Sequence, residues 1–455
     1  MANQDITRFK FIGFALNGDG PFRPLISFDS KARPIAVASS YLIQYPRESE
    51  TKYARRNEIA WYASPLAQVV SRFAGYLASR PAVRAMANPL YEAMAADIDG
   101  KGNTIDSFWS QFVVEAKARG SMLLLVDMPP AMAPTLEQQV SSRVAPYWTS
   151  IKPELLTDYQ IGDDGKFTYA EFSGNFTLET GERVDCTWHF DLTSWRAIDG
   201  QLRILAQGEH PLTECPLLIF TEGGDFPYFG PFSPIADLSR RMFNLDSELD
   251  EILRSQTFSL LTMQVSENST DAQKVQAAQV VGETIGSSNL MVHSGSTPAF
   301  IAPPDGPARI YLDRIAALKD QINEIGLVIA SSSQRESGLA LQMRFQALNS
   351  ELAKFAGRME SLERRAWELS RQWLGLTTAP QISWSRDFNL ADVVAELDIL
   401  ASMIGAAMPT EVIAMPTEVI AEQQRRIVSV QFAGLGQEQQ GQIHAAIDQR
   451  LLEQA

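Results

Sequence analysis

Between Gly338 and Leu374, apolar side chains recur every three or four residues, at Phe345, Leu348, Leu352, Phe355, Met359, Leu362, Ala366, Leu369 and Trp373. That spacing puts all of them on one face of a single helix, roughly 50 Å long at ~1.5 Å rise per residue. The same period marks Pro234 to about Ser259, through Ile235, Leu238, Met242, Leu245, Leu249 and Ile252, and Ala308 to Ile329, through Ile315, Leu318, Ile322, Ile325 and Ile329. These two helices bracket residues 260–307. That span reads as a compact α/β insert, with a short helix near Asp271 to Val281, strands at Asn289 to Val292 and Ala299 to Ile301, and a turn at Pro303 to Gly306. A polar loop, Ser331-Ser332-Ser333-Gln334-Arg335-Glu336-Ser337-Gly338, separates the second helix from the long one.

Upstream the pattern is mixed. Residues 1–40, with Gly18, Gly20, Pro21, Pro24 and Pro34, read as an extended arm. A helical period follows from Ser49 to Leu77, and Pro65 is expected to kink or split it. Thr104 to Arg119 reads as a helix with Gly120 as its C-terminal cap, and Met122 to Val126 as a buried strand. From about Tyr147 to Gln207 the period becomes two, with Asp163-Asp164-Gly165 and Glu179-Thr180-Gly181 as hairpin turns. This predicts an antiparallel sheet that Arg203 to Gln207 and Leu217 to Phe220 continue. The Gly/Pro-rich stretch Glu222 to Pro234 reads as a boundary. After the long helix, Gln381 to Trp384 is expected as a strand and residues 390–455 as mostly helical. A seven-residue segment, Ala407 to Ile413, is repeated without change as Ala414 to Ile420. The fold class expected is α+β, mostly helical, with one very long helix and an antiparallel sheet region.

Chemistry is sparse. No Gly-x-x-x-x-Gly-Lys-Ser/Thr cradle and no Gly-x-Ser-x-Gly elbow is present, and His189, His210, His293 and His444 lack the companions of a metal or nucleophile site. The Asp97-Ile98-Asp99-Gly100 stretch has Phe108 where a calcium loop needs its bidentate glutamate. No catalytic residue, metal or cofactor is therefore expected, and the chain reads as a non-enzyme. Cys186 and Cys215 stand alone, consistent with a reducing compartment. The start of the chain has no secretory pattern, and no window is apolar enough to span a membrane. A formal net charge of −15 over 455 residues argues against gripping duplex DNA by phosphate neutralisation. It suits a surface along which DNA slides. Asp246, Glu248, Asp250 and Glu251 cluster on the later turns of the first bracketing helix.

The order helix, small insert, helix, polar loop, very long helix resembles that of tailed-bacteriophage portal proteins, the head-to-tail connectors. Tyr41-Leu42-Ile43-Gln44-Tyr45-Pro46-Arg47-Glu48-Ser49 with Tyr53, the Asp97-Ile98-Asp99-Gly100 turn, Arg119-Gly120 to Val126-Asp127, and Glu336-Ser337-Gly338-Leu339-Ala340-Leu341 look like motifs of one portal subfamily. The resemblance covers most of residues 40–375. It implies a wing from residues 41–233 behind the arm of residues 1–40, stem helices at 234–259 and 308–329, and a clip at 260–307. It further implies a tunnel loop at 330–338, a wing spine and strand at 339–389, and a crown at 390–455. By the same resemblance the chain would form a homo-oligomeric ring, conventionally a dodecamer, at one vertex of the virion capsid, assembled in the host cytoplasm. Its partners would be double-stranded DNA in the channel, the major capsid protein, terminase and a head-tail adaptor, with no membrane. Residues 331–338 would then line the tunnel, and Asp246, Glu248, Asp250 and Glu251 would give the channel its negative wall. Another connector or adaptor of the same particles is the alternative, with a helical enzyme behind it.

Overall fold

A computed structural model describes residues 3–86, 88–129, 144–178, 180–257, 260–264, 270–272, 290–293, 300–301, 306–327 and 338–388. The chain divides into two compact units. The first comprises Met1–Gly75, Arg84–Ser331 and Arg358–Ile382, and the second Tyr76–Val83, Ser332–Gly357 and Ser383–Ala455.

The first unit opens with helix α1 (Asn3–Asn17), where an extended arm was expected. Phe9, Ile12, Ala15 and Leu16 are buried, so the three-four period is present there, with Gly13 inside it. Gly13 is where α1 passes the Arg119 guanidinium: an added Cβ would lie 2.5 Å from Arg119 Nη2. The hairpin β1 (Ile26–Phe28) and β2 (Pro34–Val37) follows, then α2 (Glu50–Ile59) and α3 (Pro65–Ala78). Pro65 does split the helical stretch, as the first residue of α3. The short strand β3 (Val83–Ala85) and helix α4 (Pro89–Ala96) lead to α5 (Ile105–Arg119). Thr104 caps α5 by accepting from the Ser107 amide, and Gly120 ends it at φ +83°.

Strands β4 (Ser121–Asp127), β5 (Tyr147–Ile151), β6 (Leu156–Ile161), β7 (Phe167–Thr177), β8 (Arg183–Phe190), β9 (Ser194–Asp199), β10 (Ile204–Glu209) and β11 (Leu217–Thr221) form two sheets. The larger is an antiparallel meander in the order β10-β9-β8-β7-β6, and the smaller runs β11-β4-β5. Here the sequence expectation needs correction: β5 and β11 do not extend the meander but flank β4. The reason is hydrophobicity on both faces. β4 is buried from Ser121 to Val126, as a central strand must be, and Leu217 and Ile151 supply its two neighbours. The sheets close on one core that includes Leu123, Leu125, Ile151, Phe167, Phe172, Phe190 and Leu217.

Next come α6 (Pro234–Thr257), three strands β12 (Leu260–Gln264), β13 (Leu290–His293) and β14 (Phe300–Ile301), and α7 (Gly306–Ile325). In that insert β12 is central, parallel to β13 and antiparallel to β14. The sequence reading had no strand at Leu260–Gln264, since a short apolar run after a helix does not distinguish strand from helix. The 37-residue helix α8 (Gly338–Leu374) and β15 (Gln381–Ser383) are the last elements among the described residues.

Within the first unit, α8 buries Met359, Leu362, Ala366, Trp367 and Leu369. Trp367 packs on Trp148 with ring centroids 5.0 Å apart, and Trp148 on Trp109 at 5.5 Å. The indole N–H of Trp148 donates to Ser370 Oγ at 3.1 Å, and that of Trp373 to the Val126 carbonyl at 3.1 Å. Arg84 fixes α5 and α8 together, donating to Glu363 at 2.6 Å and to Asp106 at 2.6 Å. In the second unit Leu348, Leu352, Phe355 and Ala356 are buried, and the chain after β15 is tied to α8 by Arg386 donating to the Ala353 carbonyl (2.9 Å) and Phe388 N–H to Asn349 Oδ1 (2.8 Å). Residues 330–337 of the expected tunnel loop, the expected crown at 390–455 and the repeat at 407–420 lie outside the described residues.

Candidate functional site

The first half of α6 is rooted in the unit. Ile235, Ala236, Ser239 and Phe243 are buried, and Phe243 meets Phe22 and Tyr62 edge-on, those two rings stacked at 3.9 Å. Arg8 of α1 holds Asp237 through two donations of 2.9 and 2.6 Å. The second half of α6 leaves that core and pairs with α7. Leu249, Ala308 and Ile315 are buried between the helices, with Met242, Leu245, Ile252 and Tyr311 against them. Asp246 is close to Lys319 whereas Glu248 is close to Tyr311, so rising numbers on α6 meet falling numbers on α7 and the helices run antiparallel.

A strap of chain lies along one side of α6. Asn244 accepts from the Ile43 N–H at 2.9 Å and donates to the Tyr41 carbonyl at 3.0 Å, and Arg240 sits 4.8 Å over the Tyr41 ring. Arg56, on α2, donates to the Ile43 carbonyl (2.5 Å), to Ser247 Oγ (3.3 Å) and to both Glu48 oxygens, and its guanidinium lies 4.5 Å from the Tyr45 ring centroid. Tyr53 adds a donation to the Leu42 carbonyl at 2.8 Å. Thus Tyr41, Tyr45, Glu48 and Tyr53 of the portal-like motif, together with Arg56, hold the strap to α6.

The four acidic residues singled out from sequence divide between two sides of α6. The Glu248 carboxylate lies close to Tyr45 in the strap and to Tyr311 of α7. Burial, with this carboxylate and Glu48 nearby, pushes Tyr45 up to about 12 against the opposing pull of Arg56. Glu251 is 3.5 Å from Lys52 and 3.9 Å from Arg254. Asp246 and Asp250 lie on the opposite side. Burial raises the Asp246 carboxyl, Asp250 adds to the shift, and Lys319 opposes it. Sequence reasoning missed a second acidic set. On α7, Asp313, Asp320 and Glu324 are exposed on the face turned away from the buried strip at Ala308, Ile315, Leu318 and Ile322, each two residues, about half a turn, from a member of that strip. The signal was there as the polar complement of the apolar period.

Gly338 is the first residue of α8. The Asp97 to Asn103 stretch is a turn held by its own side chains: Asp99 accepts from the Lys101 and Asn103 amides, and Asp97 from Gly102 at 2.6 Å. His189 is not isolated, since its Nδ1 lies 2.9 Å from Glu171 on the meander surface. No group of three or more potential metal ligands exists among the described residues, and among them no helix is long and apolar enough to cross a membrane.

No protein-family profile matches the chain, and no curated protein does. Solved structures do. Over 76% of its length the chain matches 87% of a chain in the virion of a native gene transfer agent particle, at 13% identity and a TM-score of 0.45. It covers 80% of itself and 89% of a chain in the neck of the native particle, computed with C12 symmetry, at 10% identity and a TM-score of 0.42. An HK97 family phage portal protein from Corynebacterium diphtheriae matches over 77% of this chain and 99% of its own, at 12% identity and a TM-score of 0.37. The chain is similar to phage portal and particle-neck proteins.

Proposed function

We propose that the chain is a portal protein: copies close into a ring, conventionally twelve, at one capsid vertex, and double-stranded DNA passes through the central channel during packaging and ejection. The observation that carries this reading is the α6/α7 pair. One strip of α7 is buried on α6, while Ile310 is 69% and Leu312 55% exposed on either side of that strip. A helix that leaves apolar side chains uncovered on both flanks is suited to lie between two neighbours, and contacts that repeat by rotation close into a ring. The helix pair with its strand insert, followed by a polar loop and α8, supplies the stem, clip, tunnel loop and wing spine, and the two meeting sheets supply the rest of the wing.

In such a ring the outward face of α7 would look into the channel. Asp313, Asp320 and Glu324, repeated by symmetry, would give a negative wall that repels phosphate and lets DNA move without adhering. The net charge of −15 fits that task. Asp246, Glu248, Asp250 and Glu251 would contribute to the same field from behind. Ser331 to Gly338 would form the narrowest point, with Arg335 and Glu336 toward DNA or the next loop. Head-tail adaptor would dock at the insert, with terminase and the major capsid protein as further partners, and no catalytic step is assigned to the chain.

The test is mass photometry of the purified protein followed by two-dimensional electron-microscopy averages. Closed rings with a hole of roughly 20 Å or more, enough for a cylinder wider than an α-helix, support the reading. A monodisperse monomer or dimer at every salt and protein concentration overturns it.

A further inference from the structure

His210 lies in the short segment that joins β10 to β11, and it is 7% exposed. Its ring Nε2 is 3.1 Å from the Asp191 carbonyl, in the turn between β8 and β9, and a carbonyl only accepts. Nε2 therefore carries the hydrogen and Nδ1 the lone pair. That Nδ1 is buried with no hydrogen-bond partner, and an unmatched polar atom in a closed site calls for a reason. The groups around it come from several elements. Asp127, at the end of β4, and Asp191 are the charges that act on it. Both Asp127 oxygens already accept, from the Met128 N–H at 2.8 Å and from the Tyr147 hydroxyl of β5 at 2.9 Å. The Trp373 ring of α8 stands 6.1 Å away. Further along the segment, the Thr213 N–H and hydroxyl both donate to Gln372 Oε1 on the last turn of α8, at 2.9 and 3.2 Å. The His210 segment thus links the meander to the end of the long helix.

We propose that His210 is a proton-operated latch: neutral, it keeps residues 210–213 seated on the last turn of α8, and on taking a second proton it carries them out to water and releases Gln372. A proton added at Nδ1 makes a cation with a new N–H in a site where the Asp127 oxygens are already engaged. Burial holds the imidazole below the ordinary histidine value, against the pull of the Asp191 carbonyl and of the Asp191 and Asp127 charges. The open segment takes up the proton at about pH 6.5 and the seated one only at lower pH, so opening is favoured as pH falls through that window and gains nothing more below the seated value. Asp191 stays ionised throughout: burial pushes its carboxyl up, but donations from Thr193 and Ser194 hold it at about 2. Asp127 works the other way, since burial raises its carboxyl, and it has to be kept constant in any comparison. The latch needs no second copy of the chain, so it stands or falls separately from the portal reading.

The experiment is amide hydrogen exchange on the full chain, read by mass spectrometry over residues 210–214 and 370–375, with labelling times scaled to the intrinsic rate at each pH. Between about pH 7.5 and 5.5, protection at both places should fall by about threefold to tenfold, the upper figure being the proton uptake of a free histidine over that range. Helix α5 should keep its protection. His210→Gln retains an N–H for the Asp191 carbonyl and leaves Asp127 in place but takes up no proton, so its protection should hold or rise. A fall below about threefold in wild type, an equal fall in His210→Gln, or an equal fall in α5 overturns the proposal. Should the variant not fold, wild type alone decides: exchange of the His210 ring C–H between the two nitrogens follows its protonation, and its midpoint should lie below that of the same residue in the urea-unfolded chain. A midpoint equal to or above the unfolded one overturns the latch.

Discussion

Arg56 donates to both carboxylate oxygens of Glu48, at 3.0 and 2.8 Å, with the two side chains 1% and 2% exposed. The pair sits where the strap, α2 and α6 meet, so removing one partner would strand a buried charge. Arg56→Met should cost about 3–5 kcal/mol in urea denaturation. Arg56→Lys should recover only part of it, since an ammonium cannot serve Glu48 with a planar fork. A loss below about 1 kcal/mol for Arg56→Met would mean that the strap is held by its backbone contacts alone.

Glu48 also sets a pH dependence. Burial would raise its carboxyl, but the Arg56 hydrogen bonds and the Tyr45 N–H outweigh this and hold it below the usual glutamate value. A depressed carboxylate stabilises the fold at pH above its unfolded value, ~4.3, and that contribution is lost as pH falls through the lower folded value. Acid melts of wild type should therefore lose stability below about pH 4.3 more steeply than those of Glu48→Gln, which is weaker at pH 7. Parallel pH profiles would contradict this.

Asp246 has the opposite sign. Its folded carboxyl is raised by burial and by Asp250, so the ionised form costs stability at neutral pH and the cost disappears below the ordinary aspartate value, ~3.9. For the monomeric chain, Asp246→Asn should raise the thermal midpoint at pH 7 and leave it unchanged near pH 3.5. A lowered midpoint at pH 7 would show that Lys319 dominates instead.

A Cβ added to Gly120 would lie 1.9 Å from the Gly230 amide nitrogen, at a residue whose φ is +83°. Gly120→Ala combines left-handed strain of about 1–2 kcal/mol with displacement of a backbone that also donates from Gly230 N–H to the Arg119 carbonyl. It should cost more than about 2 kcal/mol. Gly100→Ala, at φ +69° with nothing within 4 Å, should show the strain alone. Equal losses at the two sites would rule out the close approach as the cause.

How far the sequence reached depends on what kind of contact made each element. The period of α8 was legible because its buried residues, from Leu348 to Leu369, are those that alternate by three and four; Trp367 escaped because it sits one residue outside that strip, on a face the helix also buries. The α1 helix escaped because Gly13 and the Gly/Pro signals after it obscured a short amphipathic period. The pairing of β11 with β4 was not legible, since partners almost a hundred residues apart are chosen by core shape and not by local pattern. The strap is similar. Tyr41, Tyr45, Glu48 and Tyr53 were visible as a motif, but their attachment to Asn244, Ser247 and Glu248 depends on where α6 lies, so two of the four acidic residues turned out to face the strap and two the other side.

The three indoles of Trp109, Trp148 and Trp367, at most 2% exposed and in mutual ring contact through Trp148, give the molecule an internal optical gauge. Excited states shared among rings this close should produce strong near-ultraviolet circular dichroism and blue-shifted emission, whereas Trp61, 68% exposed, emits as it would in water. Loss of the first signal reports separation of α5, β5 and α8. It can be read without any dye.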